Sequence, residues 1–358
     1  MPIHVPFDRS TPPCAGAAEL AARRAVFQGR ARIGRLASML FDQNETGPLE
    51  TSRILASDAD LAARLIAVAN TVRRGAGIAA TSLEGATVRL GAARTRAWAL
   101  TCEIADLLAS VSGETIPFHR FWRCSLWRGC LAQALAMNVD PRITAEAFLV
   151  GALQDVGVPL LAAENPSASR RIFAICETSP QRQAMLEWQA FDANHLHLGR
   201  GMLQGWNLPP SVSVAVDRHH SRPPMASIPN RAGRLWQIAY LVAGVPTVSG
   251  PTKPDPVWGR IMSAAFAIEG PSLTAWLRQS AEEYRDAYPL FAPITDDAPV
   301  DALVDSAAAF LDVPSPTADG QWPDQLSPPV ERRGVHTARE RMTAPTPDVA
   351  PAETLRAS

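Results

Sequence analysis

The sequence predicts an all-α fold, and three observations carry that prediction. Apolar residues recur at the helical spacing i, i+3, i+4, i+7, Pro and Gly mark the edges of the runs, and acceptor side chains stand where helices would begin. With 358 residues, 47% of them apolar and 19% charged, the chain suits one to three globular domains with a large core.

The elements follow in chain order. Ile33, Leu36, Ala37 and Leu40 form the first stripe, and Leu61, Leu65 and Val68 the next. Ser57 with Asp60, and Thr81 with Glu84, read as capping pairs that offer acceptors to the unpaired N–H groups of a helix start, and Gly91 closes the helix that Thr81 opens. Further stripes lie at 118–137 (Phe118, Phe121, Trp122, Leu131, Leu135), at 142–154 (Phe148, Leu149, Ala152, Leu153) and at 180–190. Leu198, Met202 and Trp206 continue the pattern, and Pro209-Pro210 opens a helix that ends near His219-His220. Beyond Pro224 come Leu235, Ile238, Ala239 and Val242, then Val257, Ile261, Ala265 and Ile268, then Leu273, Leu277 and Tyr284. The last stripe is Val300, Leu303, Val304, Ala307, Phe310 and Leu311. Residues 313–358 carry eight prolines and little periodicity, which predicts a disordered tail.

Composition removes several classes of function. The formal net charge is −1 and the basic residues, all arginine except Lys253, are scattered, so nothing points to nucleic acid or an acidic membrane surface. Cys14, Cys102, Cys124, Cys130 and Cys176 are odd in number and form no C-x-x-C, which argues against a disulfide framework or zinc ribbon and for a reducing cytoplasm. The N-terminus lacks the apolar run of a secretory signal, and the longest apolar stretch noted, Ile238 to Val248, is far short of the roughly 20 residues that span a bilayer. There is no solenoid repeat, no phosphate-binding glycine loop and no G-x-S-x-G, so no cofactor is expected.

The segment Ser57 to Thr71 (SDADLAARLIAVANT) followed by Thr81 to Leu100 (TSLEGATVRLGAARTRAWAL) resembles the opening half of the HDOD family, the HD-related output domains of bacterial signalling proteins. Asp58, Leu61, Leu65, Asn70, Ser82, Leu83, Ala86, Leu90 and Gly91 fall at matching positions, with Ala59 where the family usually has Pro. FWRCSLWRGCLAQALA, AFLVGALQDVGVPLL, ANHLHLGRGMLQGWNLPPSVSVAVDRHH and RLWQIAYLVAG then arrive in the family's order, so the resemblance covers about 28 to 290. It implies a multi-helix HD-like bundle at 28–225, after an N-terminal extension at 1–27, with 226–312 as a helical part of the domain or an extension of it.

Active relatives in the wider HD superfamily hydrolyse phosphoesters at a metal site of a His, a His-Asp pair and a later Asp. The resemblance places Cys124 at the first His, Gln154-Asp155 at the pair and Tyr240 at the later Asp. An amide and a protonated phenol replace imidazole and carboxylate poorly. Asp155, His195, His219 and His220 match accessory ligands of the HD-GYP phosphodiesterases. Two readings stand: hydrogen-bonded histidines between helices, or a reassigned zinc site of Cys124, Asp155, His195 and His219 or His220. His197, two residues from His195, points to another helix face and reads as solvated. Eight of the nine tryptophans, at 98, 122, 127, 188, 206, 236, 258 and 276, read as core anchors with indole N–H groups at the rim rather than a stacking cleft. Arg73, Arg74, Arg94 and Arg96 read as charges near helix ends and on solvated faces rather than an anion site.

These readings lead to a non-catalytic signalling output module, acting through an unknown signalling protein or a small nucleotide ligand. The alternatives are a divergent metal-dependent phosphohydrolase or cyclic-dinucleotide phosphodiesterase, and a nucleotide sensor that does not hydrolyse. An enzyme would present Asp155, His195, His219 and His220 as a water-accessible cluster; an adaptor could keep them dry.

Overall fold

The computed structural model describes Val26 and residues 32–41, 47–72, 79–111, 116–176, 182–246, 254, 256–295, 299–317 and 321–322. Every regular element among these residues is a helix. The first three are α1 (Ile33–Phe41), α2 (Pro48–Leu55) and α3 (Ala59–Thr71), followed by α4 (Leu83–Leu90) and α5 (Ala92–Val111). Ile33, Leu36 and Ala37 of the first stripe are buried, as are Leu61, Leu65 and Val68 of the second.

Both helix starts lie one residue beyond the expected capping residue. The cap of α3 is Asp58, which accepts from the Leu61 N–H at 2.9 Å, while Ser57 Oγ donates back to the Ile54 carbonyl. The cap of α4 is Ser82, accepting from the Gly85 N–H at 3.1 Å, rather than Thr81. A carboxylate accepts more strongly than a hydroxyl, so Asp58 displaces Ser57 from the role. Asn70 adds a two-point clamp: its amide donates to the Ala80 carbonyl at 3.0 Å and accepts from the Ala80 N–H at 2.7 Å. These motif residues therefore act as caps and clamps.

The centre is built by α6 (Phe118–Val139) and α7 (Thr144–Leu153), joined by a 3-10 turn at Pro141–Ile143. Residues Glu146 to Leu153 are all buried, as expected of a helix that is apolar all round. The crossing is close because Gly151 has no side chain: a Cβ there would lie 2.3 Å from the Arg128 carbonyl oxygen and 2.9 Å from Gly129 Cα. Around this pair run α8 (Val158–Glu164), α9 (Pro166–Cys176), α10 (Gln183–Phe191), α11 (His195–Gly205) and α12 (Pro210–Asp217). The start of α12 at Pro210 and the burial of Leu198, Met202 and Trp206 follow the sequence pattern.

The remaining helices are α13 (Arg231–Gly244), α14 (Pro256–Phe266), α15 (Pro271–Phe291) and α16 (Val300–Leu311). They complete the same core, and the chain through Pro323 is one compact unit. Trp276 of α15 donates its indole N–H to the Leu131 carbonyl at 3.1 Å, and Arg64 of α3 donates to the Leu290 carbonyl at 3.1 Å. Glu283 enters the interior, where it accepts from Gln133 Nε2 at 2.5 Å and pairs with Arg94 at 3.1 Å. The tail at 324–358 and nearly all of 1–27 lie outside the described residues.

Three expectations change. Arg94 pairs with buried Glu283 and lies over the Trp98 ring, and Arg96 is buried with Nη1 3.0 Å from Thr51 Oγ1, so neither is on a solvated face. Arg73 and Arg74 lie outside the described residues. Of the tryptophans, 98, 122, 127, 206, 258 and 276 are buried, but the indole N–H groups of Trp98, Trp122, Trp127 and Trp206 are sealed inside rather than at the rim, and Trp188 is half exposed. The stretch nearest a membrane span in length and hydropathy is Pro141–Glu164 rather than Ile238–Val248, and 89% of its most apolar window is buried in the core.

Two predictions follow from this packing. Glu283→Ala strips half-buried Arg94 and buried Gln133 of their shared acceptor and lowers unfolding free energy in urea by about 3 kcal/mol, whereas Glu283→Gln loses less. Burial raises the Glu103 and Glu146 carboxyls from an ordinary 4.5 to about 7, against the lowering influence of Arg32 and Arg231 respectively. The folded chain therefore holds protons that the unfolded chain has released between those values, so this contribution makes stability rise as pH falls from about 7 towards 4.5. Melting curves across that range become flatter in Glu146→Gln; an unchanged slope counts against the buried-carboxyl account.

Candidate functional site

The turn after α7 carries Gln154 and Asp155, and Gly157 brings it against the start of α11. A Cβ on Gly157 would lie 2.5 Å from the His195 carbonyl oxygen and 3.1 Å from the Gly199 nitrogen. Asn194 caps α11 by accepting from the His197 N–H at 2.9 Å, which fixes His195 as its first residue. The chain leaving α12 places His219 and His220 beside Asp155 and the His195 ring. Three elements distant in sequence thus deliver their polar groups to one point.

Asp155, His195, His219 and His220 each offer one ligand atom, all within 4.8 Å of one another. Asp155 Oδ1 is 3.4 Å from His219 Nε2 and 3.7 Å from His195 Nε2. The His219 and His220 ring centroids are 4.1 Å apart. Each ring is controlled from behind where a partner exists. Glu187 Oε2 accepts from both the His195 backbone N–H at 2.9 Å and its Nδ1 at 2.5 Å. His219 Nδ1 lies 2.7 Å from the Val216 carbonyl, which can only accept, so Nδ1 carries the proton and Nε2 presents a lone pair. The Nε2 atoms of His195, His219 and His220 are buried with no hydrogen-bond partner among the described residues.

Charge is balanced by Arg128, whose Nη1 holds Asp155 Oδ2. Burial works to raise the Asp155 carboxyl, but Arg128 and the neighbouring His219 and His195 rings hold it well below the usual carboxylate range. Burial likewise opposes a charged His195, yet the Glu187 carboxylate, with Asp155, leaves that imidazole above its ordinary value. Burial, reinforced by His219 and His195, pushes His220 well below.

The donor set fits one divalent ion. Tetrahedral bonds of roughly 2.0–2.1 Å put donors about 3.3 Å apart, close to the spacings around Asp155, and the bare Nε2 atoms are the lone pairs such an ion needs. Among the described residues Cys124 is outside this group; it is buried on α6. Gln154 is buried beside Asp155, with neither amide atom bonded among the described residues. Tyr240 lies on α13, partly buried against the core, and His197 is exposed, as its position two residues from His195 implied.

Sequence reasoning missed Arg128 and Glu187. Glu187 is 2% exposed, and the signal for both was a charged side chain on an otherwise apolar helical face. A cavity of about 310 Å³ lies elsewhere, between Arg32, Leu36, Asp58, Leu61 and Glu103. The Gly157 approach gives a direct test. Gly157→Ala pushes a methyl group into the backbone of α11 and should cost about 2–3 kcal/mol of stability, whereas Gly201→Ala, with open space around it, is neutral or slightly stabilising. Equal effects in denaturant titrations would contradict the close approach.

No curated protein matches the chain in sequence. Solved structures share its fold. One is an HDOD domain protein of unknown function from Geobacter sulfurreducens, 20% identical, with a TM-score of 0.58 over 77% of this chain and 98% of that one. Another, named as a candidate phosphohydrolase, is from Shewanella amazonensis, at 20% identity and a TM-score of 0.53 over 75% and 98%. A third, named as a candidate signal transduction protein, is from Marinobacter aquaeolei, at 18% identity and a TM-score of 0.54 over 77% and 65%. The HDOD domain family model matches residues 33–222, and the chain belongs to that family.

Proposed function

We propose that this chain is a non-catalytic output module of bacterial signal transduction, working in the cytoplasm by binding a protein partner. The observation that carries this reading is closure of the Asp155 centre. His195 and His219 are 0% and 1% exposed, Asp155 and His220 are partly buried, and the four protein donors lie within 4.8 Å of one another, the number that fills a tetrahedral set. A hydrolytic zinc site uses three protein ligands and keeps a position for water or substrate. An ion held here would supply a cross-link between the α7 turn, the start of α11 and the end of α12. Gln154 and Cys124, at the positions where the resemblance calls for imidazoles, support the same conclusion. Met185 and Trp188, three residues apart on α10 and about half exposed, offer apolar surface of the sort a protein partner covers.

A second reading, a divergent metal-dependent phosphohydrolase, is favoured by the three bare Nε2 atoms and by the name of the Shewanella neighbour. One assay separates the two. The purified chain is incubated with cyclic dinucleotides and generic phosphoesters in the presence of zinc, manganese or magnesium, with Asp155→Ala as control. The module reading expects no difference between them. Turnover by the wild type that disappears in Asp155→Ala would establish the hydrolase instead.

A further inference from the structure

We propose that Arg128 is the resident counter-ion of the Asp155 centre and sets how tightly a divalent cation binds there. The inference rests on the closed-centre reading and adds a control on its occupancy. Asp155 divides its two oxygens: Oδ2 is held by Arg128 Nη1, while Oδ1 faces His219 Nε2 at 3.4 Å and His195 Nε2 at 3.7 Å. An entering cation would bind on the Oδ1 side and share one carboxylate with a guanidinium that is always charged. Two positive groups then compete for the same negative charge in a poorly solvated setting, where screening is weak.

Arg128 is anchored for this role. Its carbonyl oxygen lies against Gly151 in the tight crossing of α6 and α7, so the backbone that carries the guanidinium is fixed relative to the Asp155 turn. The side chain is 18% exposed, and its buried Nε has no acceptor among the described residues. Its ion pair with Asp155 is thus the bond that ties the charge to the centre. The ligand chemistry is equally specific: three imidazole nitrogens and one carboxylate oxygen suit zinc and neighbouring transition ions rather than magnesium or calcium.

The test measures zinc affinity of the full chain by competition with a chromogenic chelator, without reference to catalysis. Wild type and Arg128→Lys, which both keep a positive charge, should bind weakly and lose zinc on dialysis. Arg128→Gln and Arg128→Met should take up one zinc per chain at least about tenfold more tightly, and adding His219→Ala should remove the gain. A loss of folding would show in the melting curve and would not tighten binding; Arg128→Met keeps the aliphatic stem packed should the amide variant fail to fold. Unchanged affinity in the folded neutral variants overturns the proposal. Wild-type protein that retains one zinc per chain through dialysis does so independently of any variant. Phosphoester turnover would defeat the closed-centre reading, whereas unchanged zinc affinity without turnover defeats the role of Arg128 alone.

Discussion

A carboxylate placed as Asp155 is, between packed helices and beside two fully buried imidazoles, has to be neutralised by charge or hydrogen bonds supplied by the protein. The arrangement of the centre follows from how that requirement is met. Arg128 takes one oxygen from the α6 side, and the histidines surround the other. Glu187 and the Val216 carbonyl then hold two of those rings by Nδ1, which turns their Nε2 atoms inward. The result is a cluster with a strong geometric preference for a cation and an electrostatic competitor already in place.

The backbone makes this possible through two close approaches. Gly151 lets α6 and α7 cross tightly enough for Arg128 to reach the turn, and Gly157 lets that turn touch the first residue of α11. These contacts belong to the fold as much as to the site. A domain that keeps them keeps the polar cluster in register whether or not it performs chemistry, because the same packing positions the histidines and buries His195 and His219.

Much of the fold was legible because helices with one buried face announce themselves. The stripes beginning at Ile33 and Leu61 and the run from Leu303 to Leu311 are buried as their spacing implied. Helix α5 gave no such stripe, since residues 95–105 are buried without interruption and periodicity vanishes when every face is covered. Short α2 and α8 were missed for want of enough turns to establish a period. At the centre, resemblance located Asp155 and the histidines, but Arg128 and Glu187 were hidden because their roles depend on which helices meet. Pairing Arg128 with a carboxylate 27 residues away requires knowledge of the Gly151 crossing, which a glycine in an apolar run does not disclose. The motif residues Asp58, Asn70 and Ser82 proved to be caps and clamps, so these three positions specify helix ends.

The claim on which the rest depends is that the imidazoles are oriented from behind and leave bare nitrogens facing Asp155. Nitrogen-15 NMR of the histidine rings in metal-free protein, recorded above the imidazole titration range, reads the tautomers directly. The account predicts a proton on Nδ1 of His195 and His219 and none on Nε2 of either ring. A proton on Nε2 of His219 would mean that this atom donates to Asp155, and the converging lone pairs, with the ion site they define, would be refuted.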